Sequence, residues 1–168
     1  MSLSIVVTGP ESTGKTELAV MLSKKIGLPL VTEVARDYLL ERMGRYLPSD
    51  LLSISELQYR QESDMRFDKG FVADTDQQVL SIWWQEKYGP LPHRLSELYR
   101  KQGKRFYLLC FPDLPWQQDS LRENEHDRQR LFELYVRDLE SRNLPYAVVK
   151  GIGEERTQLA VQAITGYK

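Results

Sequence analysis

The residues Gly9-Pro10-Glu11-Ser12-Thr13-Gly14-Lys15-Thr16 spell G-x-x-x-x-G-K-[ST] and follow the apolar run Ile5-Val6-Val7 directly. That spacing suits one chemistry, the holding of phosphate oxygens. Gly9 and Gly14 permit a tight turn, and the backbone through Glu11, Ser12 and Thr13 can then aim N–H groups at an anion. Lys15 reaches the β- and γ-phosphates of a nucleoside triphosphate, and the Thr16 hydroxyl coordinates Mg²⁺. Such a turn needs a buried strand before it and a helix after it. Both flanks are legible, because Leu18, Met21, Leu22 and Ile26 recur at helical spacing until Gly27 and Pro29 stop the pattern.

The elements that must position this turn are read from periodicity. Strand-length apolar runs lie at 4–8, 30–32, 71–73, 106–111 and 146–149, and each connection between them is long enough for a helix. Helical stretches are predicted at 15–26, 34–43, 53–68, 77–87, 91–101, 127–142 and 154–165. The alternation predicts one α/β domain over residues 1–168, a five-stranded parallel sheet with helices on both faces. In such sheets ligands bind beyond the carboxyl ends of the strands.

Residues just past those ends therefore carry the remaining chemistry. Asp74 ends the third run and is placed to hold or orient Mg²⁺ opposite Thr16. Asp76 either caps the next helix or reaches a substrate hydroxyl. Glu33 reads as a helix cap or as a carboxylate that accepts a proton or holds the metal, and Arg36, one turn on, can fix a substrate's polar groups. The charged segment 116–130 reads as a solvated helical face or as an arginine-rich lid in which Arg122 and Arg128 neutralise developing charge and Arg130 faces outward. Trp116, in a proline-rich turn, is the first candidate for a ring platform. Trp83 and Trp84 lie on a helix that must turn at least one of them into the core.

Composition excludes several classes. A net charge of −1 argues against a large nucleic-acid footprint, and the cluster Arg100 to Arg105 reads as a solvated helix end ahead of a contact with an anion. No apolar stretch approaches the ~20 residues of a membrane span, and no export signal precedes the first strand, so a cytoplasmic location and no membrane partner are expected. Cys110 is the sole cysteine and reads as a buried packing residue, and His93 and His126 are isolated, which suggests no His/Cys metal site. Guanine selectivity would want an Asn/Thr-Lys-x-Asp run, and Lys150 is instead followed by Gly151-Ile152. A motor-type ATPase would want a glutamate after Asp74, where Thr75 stands.

Four landmarks together, Gly9 to Thr16, Glu33-Val34-Ala35-Arg36, Ala73-Asp74-Thr75-Asp76 and Pro112 to Arg122, resemble the ribosylnicotinamide kinase domain of the bifunctional NadR proteins and the related stand-alone AAA_28-like P-loop ATPases. The resemblance implies a P-loop NTPase fold and transfer of the ATP γ-phosphate to the 5′-hydroxyl of nicotinamide riboside, with ATP and Mg²⁺ as cofactors and a small nucleoside as partner. It implies that Lys15 and Thr16 serve phosphates and metal, and that Glu33 or the Asp74/Asp76 pair serves the metal and the hydroxyl. Trp116 would then face the pyridine ring, Arg122 and Arg128 would belong to the lid, and Lys150-Gly151 would lie against adenine. Two departures stand out: the chain has neither the length nor the paired-histidine motif of the bifunctional relatives' second domain, and Ser120 replaces the glycine common before Leu-Arg.

Overall fold

The computed structural model describes residues 3–64 and 69–167. Five strands, β1 (Ile5–Thr8), β2 (Leu30–Val31), β3 (Val72–Asp74), β4 (Phe106–Cys110) and β5 (Tyr146–Val149), form one sheet in the order β2-β3-β1-β4-β5. Every pairing is parallel. Seven helices connect or follow them: α1 (Lys15–Ile26), α2 (Val34–Glu41), α3 (Pro48–Asp64), α4 (Gln77–Tyr88), α5 (His93–Lys101), α6 (Arg128–Ser141) and α7 (Gly153–Tyr167). The predicted elements are all present with shifted ends, although residues 65–68 of the expected helix 53–68 lie outside the described residues.

Alternation along the strands divides the core between two faces. Ile5, Val7, Val72, Leu108 and Cys110 pack with Leu18 and Leu22 of α1 and with Ala160 and Ile164 of α7. Val6, Ala73, Tyr107 and Leu109 point the other way, onto Ile82 of α4 and Phe132, Tyr135 and Leu139 of α6. Cys110 is buried, as its apolar surroundings predicted, and burial raises its thiol to about 11. A third cluster, Ala35, Leu39, Leu51, Ile54, Leu80 and Leu95, binds α2 to α5 into a helical layer beside the strand tips.

The third helix starts five residues earlier than its apolar pattern suggests. Pro48 fits the first helical position, where the lost N–H has no partner to lose, and Asp50 Oδ2 accepts the Leu47 backbone N–H at 2.7 Å. The Arg100–Arg105 cluster is not solvated throughout. Arg100 and Lys101 do end α5, but Arg105 is 4% exposed and donates to Glu62 at 2.6 Å in the protein interior.

Candidate active site

β1 has β3 on one side and β4 on the other, so the chain leaves it toward α1 at the point where the strand order diverges. The turn of residues 9–14 sits there. At Gly9 a Cβ would come within 2.9 Å of the Cys110 carbonyl, and at Gly14, with φ 72°, it would come within 2.8 Å of Leu114 Cδ1. Only glycine allows the backbone to lie this close to β4 and the segment after it. The backbone thus forms an open cradle, capped by the N-terminus of α1.

Around the cradle lies a cavity of about 510 Å³ that reaches Lys15, Thr16, Glu33, Arg36, Trp83 and Arg122. Lys15 Nζ donates to the Pro10 carbonyl at 2.7 Å. The Asp74 carboxylate is 3% exposed and accepts a hydrogen bond from the side chain of Thr16, while its Oδ1 has no hydrogen-bond partner. An unpartnered carboxylate oxygen beside a hydroxyl at the mouth of a phosphate cradle is a donor set that fits a hard divalent cation. Burial pushes the Asp74 pKa up, opposed by the Thr16 hydrogen bond, Lys15 and Arg36.

Glu33 occupies the N-cap position of α2 by backbone, yet its side chain makes no capping hydrogen bond. Gln58 Oε1 takes the Val34 N–H instead, at 3.1 Å. The Glu33 carboxylate is left toward the cavity, its pKa raised by burial, lowered by Lys15, and raised again by Asp74. A carboxyl whose proton affinity is raised in this way is suited to accepting a proton from a bound hydroxyl.

Asp76 takes the capping role of its two expected ones. Its Oδ1 accepts the Gln78 N–H at 2.9 Å, and its Oδ2 accepts the Tyr107 hydroxyl at 2.8 Å and Arg105 at 3.5 Å. It is fully buried and does not line the cavity, so the expected substrate contact is withdrawn.

The segment from Phe111 to Asp127 lies over the cradle and is irregular throughout. Gln117 N–H donates to Ser12 Oγ at 2.9 Å, Arg122 Nη1 lies 3.4 Å from the same hydroxyl, and Arg36 pairs with Asp119 at 2.7 Å. Arg128 does not line the cavity: its Nη1 donates to the carbonyls of Ser12 and Leu114 at 3.1 and 2.8 Å, a backbone tie in place of the expected catalytic contact. Arg130 faces outward, paired with Glu86 and Asp127.

Trp116 also stands apart from the cavity lining, with the Arg128 guanidinium 5.8 Å from its ring and its Nε1 donating to Gln118. Lys150 Nζ lies over the Phe111 ring at 4.3 Å, and Gly151 N–H donates to Asp113 at 2.7 Å, both outside the lining. The cradle's outer side is instead braced by Arg156, whose Nη1 donates to the Thr13 carbonyl at 2.6 Å.

Comparison with known proteins places this geometry. The family AAA_28 (AAA domain) matches residues 4–156. The chain belongs to that family. Among curated proteins nothing matches. Two solved structures of NadR protein, one in complex with NAD and AMP-PNP and one with NR, align over 99% of this domain at 23% identity, with TM-scores of 0.75 and 0.76. The domain covers 49% and 50% of those chains, about half their length. Deoxyadenosine kinase from M. mycoides aligns over 98% of the domain and 100% of its own chain at 12% identity and TM-score 0.71. These likenesses show the fold of this AAA_28 domain, a P-loop α/β sheet. No helix among its described residues is long and apolar enough to cross a membrane.

One face of α4 was missed as site lining. Val79, Ile82, Trp83, Glu86 and Lys87 recur at i, i+3, i+4, i+7 and i+8 and all border the cavity. The stripe is visible in the sequence, but a helical stripe reads first as a core face. Here the whole stripe meets the cleft.

Proposed function

We propose that the domain is an ATP- and Mg²⁺-dependent small-molecule kinase that phosphorylates the 5′-hydroxyl of a nucleoside, with nicotinamide riboside as the leading acceptor. The observation that carries this reading is the convergence of Lys15, Thr16 and Glu33 on one cavity that continues toward Arg36 and Trp83, with the buried Asp74 behind Thr16 and hydrogen-bonded to it. The fold of NadR and the NR bound to that protein support the acceptor class.

In this scheme the cradle and Lys15 bind the triphosphate, and Thr16 with Asp74 behind it would hold a divalent cation, which would supply positive charge against the charge developing on the phosphates. Glu33 takes the proton of the acceptor hydroxyl as its oxygen bonds to the γ-phosphorus. The bond from that phosphorus to the bridging oxygen breaks, and ADP departs with the electron pair. Arg122, beside Ser12, faces the phosphates and compensates charge on the transferred group, while the segment above excludes water.

Trp83 takes over the platform role from Trp116. It borders the cavity, and Tyr46 holds it edge-on, with ring centroids 5.0 Å apart and the indole Nε1 donating to the Tyr46 hydroxyl at 3.1 Å. A fixed indole bordering the cavity suits stacking by a flat ring. The test is ADP release with ATP and Mg²⁺ against nicotinamide riboside, the common nucleosides, their monophosphates and no acceptor. Strict dependence on nicotinamide riboside, with a phosphorylated product, is the expected result. Equal release with no acceptor at all would replace the kinase with a nucleotide-dependent switch.

A further inference from the structure

Glu11 is an awkward residue to find inside a phosphate cradle. It borders the cavity, and a bare carboxylate there opposes an incoming triphosphate by like-charge repulsion. The structure shows where that charge goes. Glu11 Oε2 accepts the backbone N–H groups of Glu123 and Asn124 at 3.0 and 2.9 Å, and the Asn124 side-chain Nδ2 at 3.3 Å. Three donors from two adjacent residues of the 111–127 segment thus converge on a single oxygen. The neighbouring Ser12, held at φ 55°, presents its hydroxyl to Gln117 and Arg122 of the same segment. Two of the four positions that the phosphate motif leaves free are therefore used to dock the covering segment.

Other ties are more exposed. Lys87 pairs with Glu123 at 2.5 Å and Arg36 with Asp119 at 2.7 Å, each with at least one side chain well exposed to solvent. Surface pairs of that kind contribute little. The Glu11 contact differs because it is charge-assisted, draws two of its three donors from the backbone, and originates in the cradle itself.

We propose that Glu11 is a positioning residue that couples closure of the 111–127 segment to nucleotide binding. With the segment lifted, the carboxylate is uncompensated and disfavours the triphosphate. With it docked, three donors satisfy the carboxylate, and Arg122 is held beside the cradle. The nucleotide consequently has a higher affinity for the closed form, and by linkage it favours closure by the same factor. A closed cleft before transfer suppresses loss of the phosphoryl group to water.

The test uses the full chain with Glu11→Gln, which keeps the shape and drops the charge, and Glu11→Ala, which removes the acceptor. Amide exchange at Glu123 and Asn124 is expected to be about tenfold faster in Glu11→Ala and about threefold faster in Glu11→Gln, with α6 and β4 unchanged. Affinity for AMP-PNP with Mg²⁺ is expected to rise about threefold in Glu11→Gln, since the open form no longer repels it. Unchanged exchange in both variants, or weakened AMP-PNP binding in Glu11→Gln, would overturn the coupling. The kinase reading enters only in a last arm, where the ratio of ADP released without acceptor to ADP released with it rises about tenfold in Glu11→Ala. Exchange and affinity need no acceptor, so a chain that passes both and phosphorylates no nucleoside refutes the kinase reading and leaves the coupling standing.

Discussion

Asp74 and Asp76 are separated by one residue, both are buried, and they live in opposite chemical circumstances. Asp74 keeps an oxygen with no partner and faces Thr16 and Lys15 at the cradle. Asp76 has both oxygens bonded, to Gln78, Tyr107 and Arg105. Behind it the chain of bonds continues from Arg105 to Glu62, from Gln58 to Glu62, and from the Val34 N–H to Gln58, ending beside Glu33. The saturated cluster thereby braces the α2 N-terminus that presents the Glu33 carboxylate. A carboxylate with unmet hydrogen-bonding capacity is available to a cation or a proton, whereas one fully bonded in the interior only holds elements together.

Substitutions on the two sides should separate activity from stability. The largest effect is expected from Lys15→Ala: turnover falls by about 10³-fold or more with the melting temperature unchanged, because charge stabilisation of the transferring group is lost. A fall in stability of the same protein would move Lys15 into the structural class. Across the sheet, Glu62→Ala leaves Arg105 buried with a weaker partner and should destabilise by about 3 kcal/mol, read by urea unfolding. Retained stability would show that the buried cluster is not what braces the layer.

Glu33→Gln should lower turnover by about 100-fold without weakening ATP binding. In the parent, the acid limb of activity should lie above the ordinary glutamate value of 4.5, because a raised pKa means that protonation, and with it loss of the base, begins at higher pH. A limb at or below 4.5 would assign the proton elsewhere. Trp83→Ala should raise the acceptor's KM by about tenfold and leave that of ATP alone, with Trp116→Ala near the parent. The reverse pattern would restore Trp116 as the platform.

The smallest effect concerns pH and Asp76, whose pKa burial lifts to about 6 against the pull of Arg105. Between 3.8 and about 6 the folded chain holds a proton that the unfolded chain has released, so this group's contribution to stability falls as pH rises through that window. Asp76→Asn removes the effect. Its melting temperature relative to the parent should improve from about pH 4 to about pH 7, and a difference that is flat with pH would contradict the assignment.

Legibility differed between these regions for a physical reason. The cradle and its lysine, threonine and flanking elements follow from local rules, since glycine conformations, helix periodicity and strand alternation act over a few residues. Asp74 was legible for the same reason, as the end of a strand. Asp76 was not, because Thr75 adopts φ 67° and breaks the alternation that would have kept Asp76 on the face of Asp74. Arg105 likewise reads as the end of a basic run, and its distant partners Glu62 and Asp76 take it inside.

By itself, then, the sequence determined the order of elements, the parallel sheet and the turn that can hold phosphate, all consequences of interactions between near neighbours. Tertiary structure alone decided which carboxylates stay free, which tryptophan borders the cleft and that Glu11 ties the cradle to the segment above it. Those outcomes depend on partners 29 to 113 residues away, which no local pattern encodes.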